Sequence, residues 1–266
     1  MKIGFIGGGA MAEVMISIIV RNKLAPAKSI SSSDINWARG AHLERKYGVE
    51  VMNDNRAAAN GAEVVILAIK PQNLNEIMAD LSGQLKPDQL VLSIVAGKRI
   101  STLRDGLKHG RIVRSMPNTP AQIGDGMTVW TATPEVTPQQ KEWAKSLLSA
   151  MGVEIYVDDE GLIDMSTALS GSGPAYFFLF VEALVAAAQH IGIPQAMAEN
   201  LAIQTMVGSG HLLQKSGKTP AELRKMVTSP RGTTAEAIAQ FEKGGFFDLV
   251  SKAVTAAYEK SKKLGA

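Results

Sequence analysis

The chain has 266 residues, 45% of them hydrophobic and 20% charged, and a formal net charge of +3 at pH 7. That balance describes a globular protein of about two domains with a sizeable core, and it lacks the basic arm or polybasic run that binds nucleic acid or an anionic membrane. Cysteine is absent, which removes disulfides and thiolate metal sites from consideration.

The chain opens on "KIGFI" (2–6), an apolar strand, then three consecutive glycines, then the helical pattern of "MAEVMISIIVRN". Further apolar runs follow at "SISSS" (29–33), "VEVM" (49–52), "EVVILAI" (63–69), "LVLSIV" (90–95) and "RIVRSM" (111–116), each separated from the next by a helix-like segment. Strands apolar nearly throughout and alternating with helices predict a doubly wound, mostly parallel sheet. "MPNTPAQIGDG" (116–126) reads as a loop, "MTVWTAT" (127–133) and "VEIYV" (153–157) as strands, and "TPQQKEWAKSLLSAMG" (137–152) as a helix.

Beyond Asp158 the strand pattern stops. Alanine-rich helices are expected at roughly 174–191, 195–215, 220–227, 233–243 and 246–264. The boundary is placed near Glu160, giving an α/β domain over 1–160 and an all-α domain over 161–266. "AYFFLFVEALVAAA" (175–188) is interrupted by Glu182 and reads as a buried helix rather than a membrane span. About 105 residues can hardly bury helices this apolar, so association with a second copy is expected. The N-terminal "MKIGFIGGG" carries no hydrophobic signal region, and a cytoplasmic location is expected.

The glycines carry the first functional reading. Gly7, Gly9 and Ala12 fit G-x-G-x-x-A between a strand and a helix, the context of the dinucleotide fingerprint. Gly7 would make the tight turn, Gly9 would let the pyrophosphate approach the backbone, and Ala12 would let the helix pack closely. At the second strand tip, where an acidic residue would bind the ribose of NAD, stand Ser31, Ser32 and Ser33. Serine hydroxyls suit a 2′-phosphate, so NADPH is expected, with NADH possible. Asp34 pulls toward NAD unless "Asp-Ile-Asn" is a helix cap that turns its carboxylate to backbone N–H groups. Arg39 is a candidate phosphate partner.

Four further stretches follow no generic dinucleotide-binding pattern: "AIKPQ" (68–72), "RSMPNTPAQIGDG" (114–126), "ALSGSGPAYFF" (168–178) and "VTSPRGTTAEAI" (227–238). In this order, and with "FEKGGFFDLVSKAV" near the end, the chain resembles the pyrroline-5-carboxylate reductase family over essentially its whole length. The resemblance implies a Rossmann-like N-terminal domain, a helical C-terminal dimerisation domain, and NAD(P)H-dependent reduction of 1-pyrroline-5-carboxylate to L-proline, the last step of proline biosynthesis.

By position, the resemblance places the cofactor against Ile6, Gly7, Gly8, Gly9, Ala10, Met11, Ser33, Asn55, the segment Ala68, Ile69, Lys70 and Pro71, and Ile94, Val95 and Ala96. It places the substrate against Glu160, Ser229, Thr233 and Thr234, with Thr234 bonding the imine nitrogen as the catalytic group. No metal is implied, and the four histidines fall in no metal spacing. The implied partners are a small-molecule substrate and further copies of the chain as a homodimer or multimer of dimers, not nucleic acid or membrane.

The same residues admit plainer readings. The "SPRGTT" loop is also a helix start with Thr233 or Thr234 as N-cap, and Glu160 a helix N-terminus. Arg231 stands where the family commonly has glycine, and a positive φ there would strain it. Two other functions keep the fingerprint: a β-hydroxyacid dehydrogenase, whose helical-domain lysine is missing from "SGSGPAYFFLFVEALVAAAQHIG", and a nucleotide sensor without turnover, which has no need of a Ser/Thr-rich anion loop.

Overall fold

Ile3–Ile6 (β1) is buried at all four residues, as a strand covered on both faces requires. The helix after it, Ala10–Arg21 (α1), turns Ala12, Met15, Ile16 and Ile19 to the sheet. The same logic repeats through Ile30–Ser33 (β2), Trp37–Tyr47 (α2), Glu50–Val51 (β3), Asn55–Ala59 (α3), Val64–Leu67 (β4), Leu74–Leu81 (α4), Leu90–Ser93 (β5), Ile100–Leu107 (α5) and Ile112–Met116 (β6). Gly126–Ala132 (β7), Pro138–Ser149 (α6) and Gly152–Tyr156 (β8) complete the sheet, and a short helix, Gly161–Ser166 (α7), follows.

The eight strands are ordered β3-β2-β1-β4-β5-β6-β7-β8. All neighbours are parallel except β6 and β7. Alternate residues of each strand feed opposite faces. Ile3, Phe5, Val64, Ile66, Leu90 and Leu92 pack with α1 and α6 on one side. Ile6, Val65, Leu67, Val91 and Ile112 pack with α3, α4 and α5 on the other. This is the doubly wound α/β sheet that the alternating pattern predicts.

The computed structural model describes residues 1–265, and the chain falls into two units. Met1–Ser172 forms one, which the chain rejoins from Ala257 on; Gly173–Ala256 forms the other. At the rejoining end, Leu264 packs on Gly97, whose φ is 70°; a Cβ added at Gly97 would stand 2.6 Å from that of Leu264.

The second unit is all helix: Gly173–His190 (α8), Gln195–Lys215 (α9), Pro220–Met226 (α10), Thr233–Lys243 (α11) and the first part of Phe246–Gly265 (α12). These match the five helices read from the sequence. Inside this unit α8 lies against α9, and Phe180, Phe241 and Phe246 cluster with centroids 5.6–6.5 Å apart.

The reading of residues 175–188 as a buried helix does not hold for a single chain. Phe177, Phe178 and Leu179 are 57–66% exposed. Nor is the segment short, because helix continues upstream through α7 and a π-helical turn, Thr167–Gly171, to make the 30-residue run Gly161–His190. By length and composition alone that run is long and apolar enough to cross a membrane, a test that the core helix of a soluble protein also passes. The helix read from the sequence begins only at about residue 174, so the turn upstream of it was not foreseen.

Candidate active site

The carboxyl ends of β1, β2, β4 and β5 adjoin one another at the point where the strand order reverses, the usual ligand crevice of such sheets. Backbone bonds knit the segments that emerge there. Gly7 N–H donates to Ser33 O (2.8 Å), Ala68 N–H to Ile6 O (2.9 Å) and Ile94 N–H to Leu67 O (3.1 Å). Thus Ile6–Met11, Ser33, Ala68–Pro71 and Ile94–Ala96, far apart in sequence, are brought to one edge of the sheet.

Gly7 has φ 96°, and a Cβ there would come within 2.6 Å of the Ala68 carbonyl oxygen, so glycine is required twice over. Gly9 is exposed, and a Cβ on it would meet nothing closer than 4.0 Å. Its open face and the first-turn amides of α1, which have no intrahelical acceptor, form a cradle that fits a pyrophosphate. Ala12 is fully buried under the helix.

The Asp34 carboxylate is engaged through both oxygens with backbone N–H groups, one of them in the glycine turn itself. Its Oδ2 accepts from Gly8 N–H and its Oδ1 from Asn36 N–H, both at 2.7 Å. The cap of α2 is Asn36, whose Oδ1 accepts from Ala38 N–H. Of the three serines, Ser31 donates to Ala58 O (2.8 Å) and Ser32 is buried. Ser33 is buried as well, at 3% exposure, so the run does not offer free hydroxyls as expected; Ser33 is set apart only by its place at the strand end, where its carbonyl accepts from Gly7 N–H. Its hydroxyl donates to Asn55 Oδ1 (2.8 Å), and Asn55 in turn donates to Asp80 (3.1 Å).

Arg39, the candidate phosphate partner, bonds the Gly8 carbonyl and Glu13. Glu13 also takes bonds from His42 (3.0 Å), Lys46 (2.9 Å) and Tyr47 (3.0 Å). Burial pushes the Glu13 carboxyl up, but the bonds from His42, Lys46, Arg39 and Tyr47 outweigh it and hold the group far below the ordinary carboxylate range. The glycine turn is thus tied to α2 through Asp34 and Arg39. Lys70 stands exposed before the 3-10 turn Pro71–Asn73.

Glu160 sits at the N-cap position of α7 without capping it. Its Oε1 accepts from Ile100 N–H (2.8 Å) and from Arg114 (2.7 Å). Arg114 is 1% exposed and spends its other nitrogen on Asp164 (2.6 Å), itself buried. The carboxylate of Glu160 therefore joins three segments: the start of α5, β6 and α7. Sequence reasoning singled out neither Arg114 nor Asp164, although Arg114 opens a stretch it marked as unusual. Asn118 was missed too. It donates to Ser170 O (3.0 Å) and accepts from Met127 N–H (2.9 Å), so two of the four unexplained motifs meet through it.

In the helical unit, Ser229–Gly232 is a tight turn closed by Gly232 N–H to Ser229 O (3.1 Å). Pro230 takes the second place and Arg231 the third, with φ 59°. That is the residue order of a type II turn, which favours glycine where Arg231 stands. A Cβ on Gly232 would lie 2.4 Å from Ser229 Oγ, so the turn presses on its own first residue. Gly232 is the N-cap of α11, and no side chain caps it. The cap reading of Thr233 and Thr234 is thereby corrected: both lie inside the first turn. Ser229 and Thr233 are exposed and Thr234 is half-buried.

Known proteins resemble the chain at both levels. A family model described as pyrroline-5-carboxylate reductase dimerisation matches residues 160–264, and one described as NADP oxidoreductase coenzyme F420-dependent matches 2–97. A pyrroline-5-carboxylate reductase of Synechocystis sp. is 41% identical, the match covering 99% of this chain and 98% of that one. The chain belongs to the pyrroline-5-carboxylate reductase family. A relative in Pseudomonas aeruginosa is 40% identical over 99% of this chain and 96% of its own. Among solved structures, the reductase of Coxiella burnetii superposes with a TM-score of 0.92 at 37% identity, covering 100% of this chain and 98% of that one. A Plasmodium falciparum reductase, solved with NADP bound, gives 0.90 at 28% identity, with coverage of 100% and 98%.

Proposed function

We propose that the protein reduces 1-pyrroline-5-carboxylate to L-proline with NAD(P)H, as a cytoplasmic enzyme assembled from dimers. The observation that carries this reading is full-length identity of 41% to a curated reductase, joined to a glycine turn whose geometry fits a dinucleotide. The reduced nicotinamide, when bound, supplies the hydride.

The chain's own residues do the rest. Gly7 shapes the turn, and Gly9 with the amides of Ala10 and Met11 receives the pyrophosphate. Ser33 and Asn55 meet the adenosine end, where the absence of a free carboxylate leaves room for a 2′-phosphate, so NADPH is the preferred donor. Ala68–Pro71 and Ile94–Ala96 form the walls toward the nicotinamide. At the start of α11, unpaired first-turn amides take the substrate carboxylate, helped by Ser229 and Thr233. The Thr234 hydroxyl bonds the imine nitrogen and orients the C=N bond. Nitrogen takes its proton from solvent as carbon receives the hydride. Glu160 holds the start of α5 through Ile100 N–H and is a further candidate substrate contact.

The test is oxidation of NADPH, followed by nicotinamide absorbance, with pyrroline-5-carboxylate as acceptor and with a 3-hydroxy acid plus NADP in the reverse direction. Turnover of the imine alone is expected. Turnover of the hydroxy acid alone would assign the chain to the dehydrogenase alternative, and no turnover of either to a sensor.

A further inference from the structure

The loop that leaves β5, residues 94–99, is carried by the sheet only at its start. Ile94 N–H donates to Leu67 O (3.1 Å) and Val95 N–H to the Ser93 hydroxyl (3.2 Å). Among the described residues, no hydrogen bond from the sheet reaches Ala96, Gly97, Lys98 or Arg99.

Two later segments of the chain hold the loop instead. At its end, Ile100 N–H donates to Glu160 Oε1, and the same oxygen takes a bond from Arg114 (2.7 Å). Arg114 lies on β6 beside Ser93, the last residue of β5, and spends its other nitrogen on Asp164. One carboxylate suffices to pair a buried guanidinium. The second, Glu160, fixes the amide that opens α5. In the middle of the loop the last turn of α12 comes in backbone against backbone. A Cβ on Gly97 would stand 2.6 Å from that of Leu264, and one on Gly265 would stand 2.9 Å from the Gly97 carbonyl oxygen. Ser261 and Gly265, one turn apart, are the buried residues of α12, so this is the face it docks. Arg99 meets both groups: its guanidinium is 4.0 Å from Asp164, and its Nε is 3.6 Å from where a Cβ of Gly265 would lie. In sequence the two holding points stand on either side of the helical unit, one before the chain enters it and one after the chain leaves it.

A loop tied at one end samples many conformations, and a ligand that needs one of them binds more weakly by the fraction of time that conformer is absent. Hydride transfer is stricter still, since a misplacement of about 1 Å can cost about a hundredfold in rate. We propose that Arg114, acting through Glu160, and Leu264 are positioning residues of the cofactor site, which set residues 94–96 against the nicotinamide. This rests on the reading above that those residues form the nicotinamide wall. The effect belongs to the nicotinamide end alone, because the adenosine end is built elsewhere, from Gly7, Ser33 and Asn55.

Full-length variants are titrated with NADPH and with 2′,5′-ADP, a probe that carries the adenosine end and no nicotinamide. Leu264 is 40% exposed, so Leu264→Ala removes the contact without stripping a buried charge of its partner. Arg114→Met with Asp164→Leu replaces the buried pair by apolar side chains, an exchange that proteins often tolerate, and takes the guanidinium from Glu160. If that double variant does not fold, Arg114→Lys, which lacks the fork that spans both carboxylates, takes its place. Each is expected to raise the NADPH Kd at least fivefold and to leave the 2′,5′-ADP Kd within twofold of wild type, while Leu264→Met stays near wild type. An unchanged NADPH Kd in the folded variants overturns the proposal. Equal weakening of both ligands does so too, since it marks a general loss of structure. Neither ligand involves the imine. Absence of pyrroline-5-carboxylate turnover together with the expected Kd changes would therefore sink the proposed function and keep the positioning role, whereas a wild type that does not bind NADPH would overturn both.

Discussion

At Thr234 the structure separates two roles that the sequence leaves mixed. Because Gly232 caps α11, truncating the Thr234 side chain removes no cap bond. Thr234→Ala should therefore lower kcat roughly ten- to a hundredfold, about 1.4–2.7 kcal/mol of transition-state stabilisation, with the melting temperature and NADPH Kd nearly unchanged. Thr234→Ser should keep most activity. A variant that melts early yet turns over normally would return the hydroxyl to a structural role. Glu13 permits a second test at this scale. Its carboxyl is depressed in the folded state, so its contribution is complete above the ordinary carboxylate pKa and is lost only as the pH falls below it, toward the folded-state value. Glu13→Gln should flatten the acid limb of melting temperature against pH and leave the profile above pH ~6 parallel to that of the wild type. An unaltered acid limb would show that the cluster contributes nothing.

At the scale of elements, strand β2 and its turn decide cofactor choice. Ser33→Asp places a second carboxylate beside Asn55 and within the reach of Asp80, and like charge there opposes a 2′-phosphate. The ratio of kcat/KM for NADPH over NADH should fall at least tenfold; an unchanged ratio would mean that Ser33 does not face the adenosine end. This much was legible beforehand, because the fingerprint and the serine run are local in sequence, as are the five late helices with their periodic apolar residues. Even the strained φ of Arg231 was foreseeable, since the turn it occupies has a glycine signature. What escaped was long-range or contrary to local propensity. Arg114 meets Asp164 and Glu160, and Asn118 meets Ser170, only after the sheet has formed. No periodicity announces a π-helical turn inside "ALSGSGP", where glycine and serine argue for a loop. The single polar interruption at Glu182 marked 175–188 as core, but the cover it needs is not within the chain.

At the scale of the whole molecule, the exposed apolar helices and the dimerisation match require assembly. Light scattering of the full chain should give a dimer or a multiple of one; a monodisperse monomer at micromolar concentration would refute this. The buried ion pairs set a limit on cutting the molecule apart. Ending the chain after Glu160 would remove Asp164 together with the rest of α7, breaking the buried Arg114–Asp164 pair and uncovering the β6 and β7 residues beneath it. Such a fragment should unfold at a far lower denaturant concentration than the full chain, and a fragment of equal stability would show that Asp164 is dispensable.

The packing of Leu264 on Gly97 carries a further consequence, for the order in which the protein is made. Gly97 leaves the ribosome long before Leu264, and the entire helical unit is synthesised between them. The nucleotide-binding sheet can collapse early, but the loop after β5 waits for Leu264 to acquire its neighbour. Contacts of such sequence separation form late and slowly. A nascent chain stalled before Leu264 would therefore hold a nearly finished sheet with the β5–α5 loop unbraced, and the arrival of Leu264 after the helical unit, rather than emergence of the first domain, would brace that loop.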